Sequence, residues 1–314
     1  MRPAAAVAVL LLSISAPLPA LEPPGQALRL ERSRGGLAVV ASELGGETLR
    51  LALDTGTSRS MIAGSVAARL GLAARARFAV VTAAGPERTA LCAGPLALRV
   101  AGVALAVDCL GWIPAEPLLA GAEDVEGLLG ADALSGVDLW IDLGRGRARV
   151  APAGTLAAWF DGEPLPLEAV ERRPALAVSL PELAPGGARA RFVLDSGADR
   201  ALLFGDLARQ AARALPAQGR AGRLATAAGS VGFSAVPLGA LRAGRARFEP
   251  GSAGLLPAVV DRAEDGLLPL AALGPVLLDP AGGRLVLGAR PRAAPAAELP
   301  RPPAPGETPA ALAE

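Results

Sequence analysis

An apolar run ending in an acidic residue, a small hydroxyl residue and a glycine occurs twice in this 314-residue chain. The copies are Leu51-Ala52-Leu53-Asp54-Thr55-Gly56 and Phe192-Val193-Leu194-Asp195-Ser196-Gly197. Each run is made of strand-forming residues, and each glycine opens backbone angles that other residues avoid, so the pattern presents a carboxylate at a rigid strand end. A single such turn is ordinary punctuation. Its repetition carries more weight, because two further landmarks follow in the same order. Thr82-Ala83-Ala84-Gly85 lies 28 residues after Asp54, and Thr226-Ala227-Ala228-Gly229 lies 31 after Asp195. Gly127-Leu128-Leu129-Gly130-Ala131-Asp132-Ala133-Leu134 then finds its counterpart in Gly266-Leu267-Leu268-Pro269-Leu270-Ala271-Ala272-Leu273. The chain is a duplicated unit of roughly 130 residues per copy.

The segments around these landmarks repeat as well. Residues 37–41, a turn at Gly45-Gly46 and residues 48–53 read as a hairpin feeding the first turn, and residues 175–180 with 189–194 read as its counterpart. Short helical segments at 65–70 and 206–215 follow, each with a cap-type start and a breaker at the end. Residues 96–100 and 103–107 form a hairpin about Ala101-Gly102. Folding it brings Cys92 and Cys109 level on opposite arms, where either a bridge or two buried thiols would fit. Each lobe closes with a hairpin, residues 137–143 with 147–150 and residues 276–278 with 284–287.

Composition narrows the chemistry. The formal charge of +1 offers no basic surface for nucleic acid, and 52% hydrophobic content suffices for one or two substantial cores. With no His in the chain there is no Ser-His-Asp or Cys-His system and no His-ligated metal, and two cysteines leave little for thiolate coordination. Carboxylate chemistry remains, with no metal and no organic cofactor expected.

At the N-terminus, Arg2, an apolar stretch and then small residues and prolines follow the order of a secretory signal peptide, so residues 1–20 are expected to be removed on export to the periplasm or beyond. The apolar run is shorter than the roughly 20 residues of a spanning helix, so no stable membrane span is expected after cleavage. The expected organisation is a first lobe at 35–150, an interlobe connection at 151–174, a second lobe at 175–290 and a disordered Pro- and Ala-rich tail at 291–314.

The paired turns and their satellites resemble the retropepsin-like and pepsin-like aspartic proteases over about residues 35 to 290. The resemblance implies an all-β fold of two tandem barrel-like lobes with short helices and an active site at the lobe interface. It implies that Asp54 and Asp195 are catalytic and that Thr55 and Ser196 bond across between the lobes, while Gly56 and Gly197 allow the close turn. The segments Thr82 to Gly85 and Thr226 to Gly229 correspond to flaps over an extended polypeptide substrate, a plain β-turn being the alternative. The loops at Gly130 and Pro269 would brace the turns from behind. Because both lobes lie in one chain, the expected state is a monomer, an intramolecular pseudo-dimer. Pairing of each half with other chains is the alternative.

Two carboxyls about 3 Å apart cannot both ionise cheaply, so the pair would hold one proton and work as acid and base on a bound water. Thr57 follows Gly56, whereas Ala198 follows Gly197. A Thr57 hydroxyl bonded to Asp54 would favour its charged form and leave the proton on Asp195; a hydroxyl that only packs in the turn is the competing expectation. Pro269 in place of Gly130, with Ala271 in place of Asp132, is expected to support the second turn less well. The expected function is therefore an aspartic endopeptidase, with a peptide-binding protein of weakened or lost turnover as the second reading.

Overall fold

The computed structural model describes residues 22–80, 88–113, 122–183, 187–216, 221–226, 229–259 and 262–292. The expected signal segment, Thr82, Ala83, Ala84, Gly85, Ala227, Ala228 and all of the expected tail beyond Arg292 lie outside these residues. The fold is all-β with short helices, built as one ten-stranded sheet per lobe and a six-stranded sheet shared between them.

The duplication is visible in the strand order. Across the first lobe the strands run Ala76–Val80, Arg88–Ala93, Leu110–Ile113, Met61–Ala63, Gly127–Leu129, Glu47–Leu53, Ala38–Leu44, Leu96–Val100 and Val103–Val107. Across the second they run Ala221–Thr226, Gly229–Leu238, Gly251–Leu256, Ala201–Phe204, Gly266–Pro269, Ala188–Asp195, Arg173–Leu180, Leu241–Ala243 and Ala246–Phe248. The tenth strand lies off this order in each, Glu31–Arg32 against Ala38–Leu44 and Glu168–Val170 against Arg173–Leu180, so each place is filled by the same member of the repeat.

The strand that delivers each acid lies at the centre. Glu47–Leu53 pairs antiparallel with Ala38–Leu44 on one side and parallel with Gly127–Leu129 on the other, with Leu53 opposite Leu129. Ala188–Asp195 does the same between Arg173–Leu180 and Gly266–Pro269, with Asp195 opposite Pro269. Both delivering strands are partly exposed where they begin and buried over their last three residues or more. That pattern explains why apolar residues crowd immediately before each acid: a central strand covered on both faces accepts little else.

The six-stranded sheet has the order Gln26–Arg29, Arg147–Pro152, Val137–Asp142, Val276–Asp279, Arg284–Pro291, Phe160–Pro166. Each lobe supplies three strands in mirrored order, and the two closing hairpins meet through Leu139 opposite Leu278, Trp140 opposite Leu277 and Ile141 opposite Val276. A pseudo-twofold axis therefore passes between Trp140 and Leu277. Within the expected connection 151–174, Phe160–Pro166 is an edge strand of this sheet, and Glu168–Val170 pairs with Arg173–Leu180.

Helices at Gly64–Arg69 and Gly205–Ala214 stand where the sequence places them. Cys92 and Cys109 form a disulfide with their Cα atoms 5.4 Å apart, so of the two expectations it is the bridge that holds. Among the described residues no helix is long and apolar enough to cross a membrane.

Candidate active site

Asp54 and Asp195 leave their strands at the junction of the two lobes, and the turns after them interlock. Thr55 Oγ1 donates to the Leu194 carbonyl at 2.7 Å, and Ser196 Oγ donates to the Leu53 carbonyl at 2.7 Å. In return the Thr55 amide donates to Ser196 Oγ at 3.0 Å and the Ser196 amide donates to Thr55 Oγ1 at 3.1 Å. Both hydroxyl residues are buried, so these bonds stand in place of water. A hydroxyl is required at each position because it must accept an amide and donate to a carbonyl at once.

This clasp brings the carboxylates close together. A methyl group added to Gly197 would sit 3.3 Å from Asp195 Oδ1 and 3.5 Å from Asp54 Oδ2, so one small volume touches both acids. A methyl group on Gly56 would fall 2.4 Å from the Asp195 carboxyl carbon. Glycine is needed here for close approach of the opposite acid.

The two acids differ in their donors. Asp54 Oδ1 accepts the amides of Gly56 at 3.1 Å and Thr57 at 3.0 Å, and its Oδ2 accepts the Thr57 hydroxyl at 2.8 Å. Asp195 Oδ1 accepts the amides of Gly197 at 2.7 Å and Ala198 at 3.1 Å, with no hydroxyl at that place. Asp195 is only 8% exposed, whereas Asp54 is more open. Burial pushes both carboxyls upward. For Asp54 the Thr57 hydroxyl and then the Thr57 and Gly56 amides oppose the rise. For Asp195 the repulsion of Asp54 adds to burial and carries it to about 7. Of the two expectations for Thr57, the hydroxyl bond to Asp54 is the one formed.

Behind the first turn lies a polar knot that the sequence reading did not identify. Ser60 donates to Asp132 Oδ1 from its amide at 2.8 Å and its hydroxyl at 2.7 Å, and the Gly130 amide donates to Ser60 Oγ at 3.0 Å. The Ala131 amide reaches the Thr57 carbonyl at 2.8 Å, which ties the knot to the residue that serves Asp54. Gly130 admits no side chain, since a Cβ would fall 2.5 Å from the Arg59 carbonyl carbon.

In the second lobe the matched strand registers place Ala201 where the first has Ser60, and the three members become Ala201, Pro269 and Ala271. The amide that Pro269 lacks is the one whose acceptor Ala201 lacks. The polar knot has been exchanged as a set for an apolar one, and Pro269 keeps its register opposite Asp195 with φ −60°. The strand register is thus kept, while the loop beyond it takes another form, a 3-10 turn at Leu270–Leu273 where the first lobe has the α-helical turn Ala131–Leu134. The signal was in the sequence: Ala201 stands 141 residues after Ser60, the spacing of the two acids.

The expected flap positions are described only at their edges. The backbone of Thr226 pairs with that of Gly229 at the end of a hairpin, and the corresponding hairpin of the first lobe is paired as far as Val80 and Arg88. At the base of each hairpin an aromatic ring meets an arginine that follows the catalytic-type turn: Arg59 lies over Phe78 and Arg200 over Phe233, both with 5.0 Å from guanidinium carbon to ring centre. The rings occupy matching space from different strands. Phe78 stands opposite Ala90, whereas Phe233 takes the place of Ala90 and stands opposite Gly222. Gly111 and Gly254 each leave room for the ring, a Cβ there falling 2.7 Å from Phe78 and 2.9 Å from Phe233.

Residues 40–133 match the family model described as aspartyl protease. That span includes Asp54, the Ser60 knot and the first bracing loop, and it bears out the resemblance to aspartic proteases in the first lobe; Asp195 lies beyond it. No curated protein matches the chain.

Proposed function

We propose that the protein is an aspartic endopeptidase in which Asp54 and Asp195 form a working dyad, one acid from each lobe. The observation that carries this reading is the asymmetric pair: two adjoining carboxyls, the part-buried Asp54 with a hydroxyl donor for its charged form and the buried Asp195 pushed up to about 7. Between the two ionisations the pair holds a single proton, on Asp195, while Asp54 is ionised. A water held between them then loses a proton to Asp54 as it attacks the peptide carbonyl. Asp195 hydrogen-bonds the carbonyl oxygen as it becomes tetrahedral; Asp54 then passes the proton it took from the water to the leaving nitrogen, the C–N bond breaks, and the pair is left again with one proton. Thr55 and Ser196 hold the carboxyls level and take no part in proton transfer.

The substrate on this reading is an extended polypeptide, bound beneath the two hairpins by strand-like backbone pairing. The reading of a binding protein without turnover rested on Pro269 and Ala271; the matched exchange of Ser60, Gly130 and Asp132 for Ala201, Pro269 and Ala271 favours the endopeptidase over it. Export is part of the same proposal: the N-terminal apolar segment and the Cys92–Cys109 bridge both suit an oxidising compartment. So are the monomeric state and a substrate-binding role for residues 82–85 and 226–229.

The test is cleavage of a mixed peptide library from pH 3 to pH 7 by the mature protein, alongside Asp54→Asn and Asp195→Asn. Activity lost in both variants supports the dyad. A folded wild-type protein that cleaves nothing across that range would refute it.

A further inference from the structure

Arg59 and Arg200 follow their acids by the same five residues, and each holds its guanidinium carbon 5.0 Å from the centre of a phenylalanine ring at the base of a hairpin. Each therefore spans from the floor of the site, the segment after the acid-bearing turn, to the strand that leads toward its roof. A ring on one side of a guanidinium holds the group in place and leaves its N–H groups on the other sides to meet a carboxylate in a bidentate fork. An extended chain passing over the two acids would meet one such arginine on either side.

The two arginines are not electrically equal. Arg200 is chelated by its own neighbour, Asp199, with Nε to Oδ1 at 3.0 Å and Nη2 to Oδ2 at 2.9 Å. The first lobe has Ser58 in that place. Arg59 is exposed and, among the described residues, no carboxylate is paired with it; the part-buried Asp132 feels its charge, but its Oδ1 is already engaged by Ser60. The surrounding strands reinforce the sign: Ala76–Val80, Arg88–Ala93 and Ala221–Thr226 each contain one arginine, and neither they nor Gly229–Leu238 contain Asp or Glu.

Resting on the proposed endopeptidase activity, we propose that Arg59 is a specificity-determining residue that selects a substrate with an acidic side chain on the first-lobe side of the scissile bond, and that Asp199 cancels the same selectivity on the second-lobe side. The substrate class is an extended polypeptide with a Glu or Asp within a few residues of the cleaved bond, on one side of it.

The experiment uses paired peptides that differ only by Glu against Gln, walked through the positions on both sides of the cleavage point. For the wild-type protein kcat/KM should favour Glu by about tenfold on one side, as a charge-assisted fork at a partly solvated site supplies, and show no preference on the other. Arg59→Gln and Ser58→Asp should each collapse the ratio, Arg59→Lys should retain a Glu preference, and Asp199→Ser should create one on the opposite side. A purely structural role for Arg59 would lower all peptides together and leave the ratio untouched, which overturns the proposal. So does a wild-type protein that cleaves Glu and Gln peptides alike. Should no peptide be cleaved, the activity reading fails separately, and fluorescence anisotropy of the same peptides on the Asp54→Asn protein decides this one: tighter Glu binding that Arg59→Gln abolishes supports it, and equal binding overturns it.

Discussion

Replacing Thr57 with alanine makes the first turn chemically like the second, where Ala198 stands, and isolates the one hydroxyl that distinguishes the two acids. The Thr57 Oγ1 to Asp54 Oδ2 bond is 2.8 Å long and part-buried. A hydrogen bond to a charged group contributes about 1.5 to 3 kcal/mol. Asp54 is open enough for water to replace part of that, and it keeps two amide donors, so the lower end applies. At about 1.4 kcal/mol per unit, the first ionisation of the dyad should rise by about one pH unit. The second ionisation takes the proton from Asp195 while Asp54 is charged before and after, so it should stay near 7. The bell-shaped profile of kcat/KM against pH should therefore narrow from its acid side alone. Measuring kcat/KM on one peptide from pH 2.5 to 8 for both proteins checks this. An unmoved acid limb, or a shift of the alkaline limb instead, would refute the assignment of the charge to Asp54. The reciprocal Ala198→Thr should pull the alkaline limb down.

Three further outcomes follow from the same geometry. In the unfolded chain Asp195 loses its proton near pH 4, but in the folded protein it keeps it to about 7. The folded state binds more protons in that window, so stability should fall as pH rises from 4 to 7, and Asp195→Asn should flatten the decline in thermal midpoints. Gly56→Ala places a methyl against the Asp195 carboxyl and should cost about a hundredfold or more in kcat by separating the acids, with little change in far-ultraviolet circular dichroism. Pro269→Gly should bring no gain in kcat/KM, because Ala201 offers the freed amide no acceptor, and should lower stability by about 0.4 to 1 kcal/mol through the added freedom of the unfolded chain; a rise in activity would show that the second brace is defective after all.

Much of this arrangement was legible because duplication supplies an internal control. The hairpin into each acid, the helices and the closing hairpins are set by local signals: alternation before Asp54, Gly45-Gly46 at a turn, Gly144 to Gly146 at another. The clasp of Thr55 and Ser196 could be anticipated only through resemblance, since nothing in either tripeptide states that its partner is 141 residues away. The Ser60 knot was missed because a serine just before an apolar strand and an aspartate in a helical turn look like ordinary capping residues until the two segments are brought side by side. The exchange at Pro269 was read incompletely for the complementary reason: Pro269 and Ala271 were weighed without Ala201, its third member. The stacking of Arg59 and Arg200 had no signature at all, because the ring comes from a different strand in each lobe.

The shared sheet bears on how the two halves are held. Trp140 and Leu277 meet across a seam that mirrors itself, and each half contributes a complete three-stranded layer to it. The covalent link between the halves runs through Gly154 and Thr155, between Arg147–Pro152 and Phe160–Pro166, and it is not itself a strand of the sheet. Cutting there would sever one peptide bond and no ladder pairing. The halves should then reassemble as two separate fragments with both clasp hydroxyls in place, and the linker's contribution reduces to the effective concentration at which it holds one fragment beside the other.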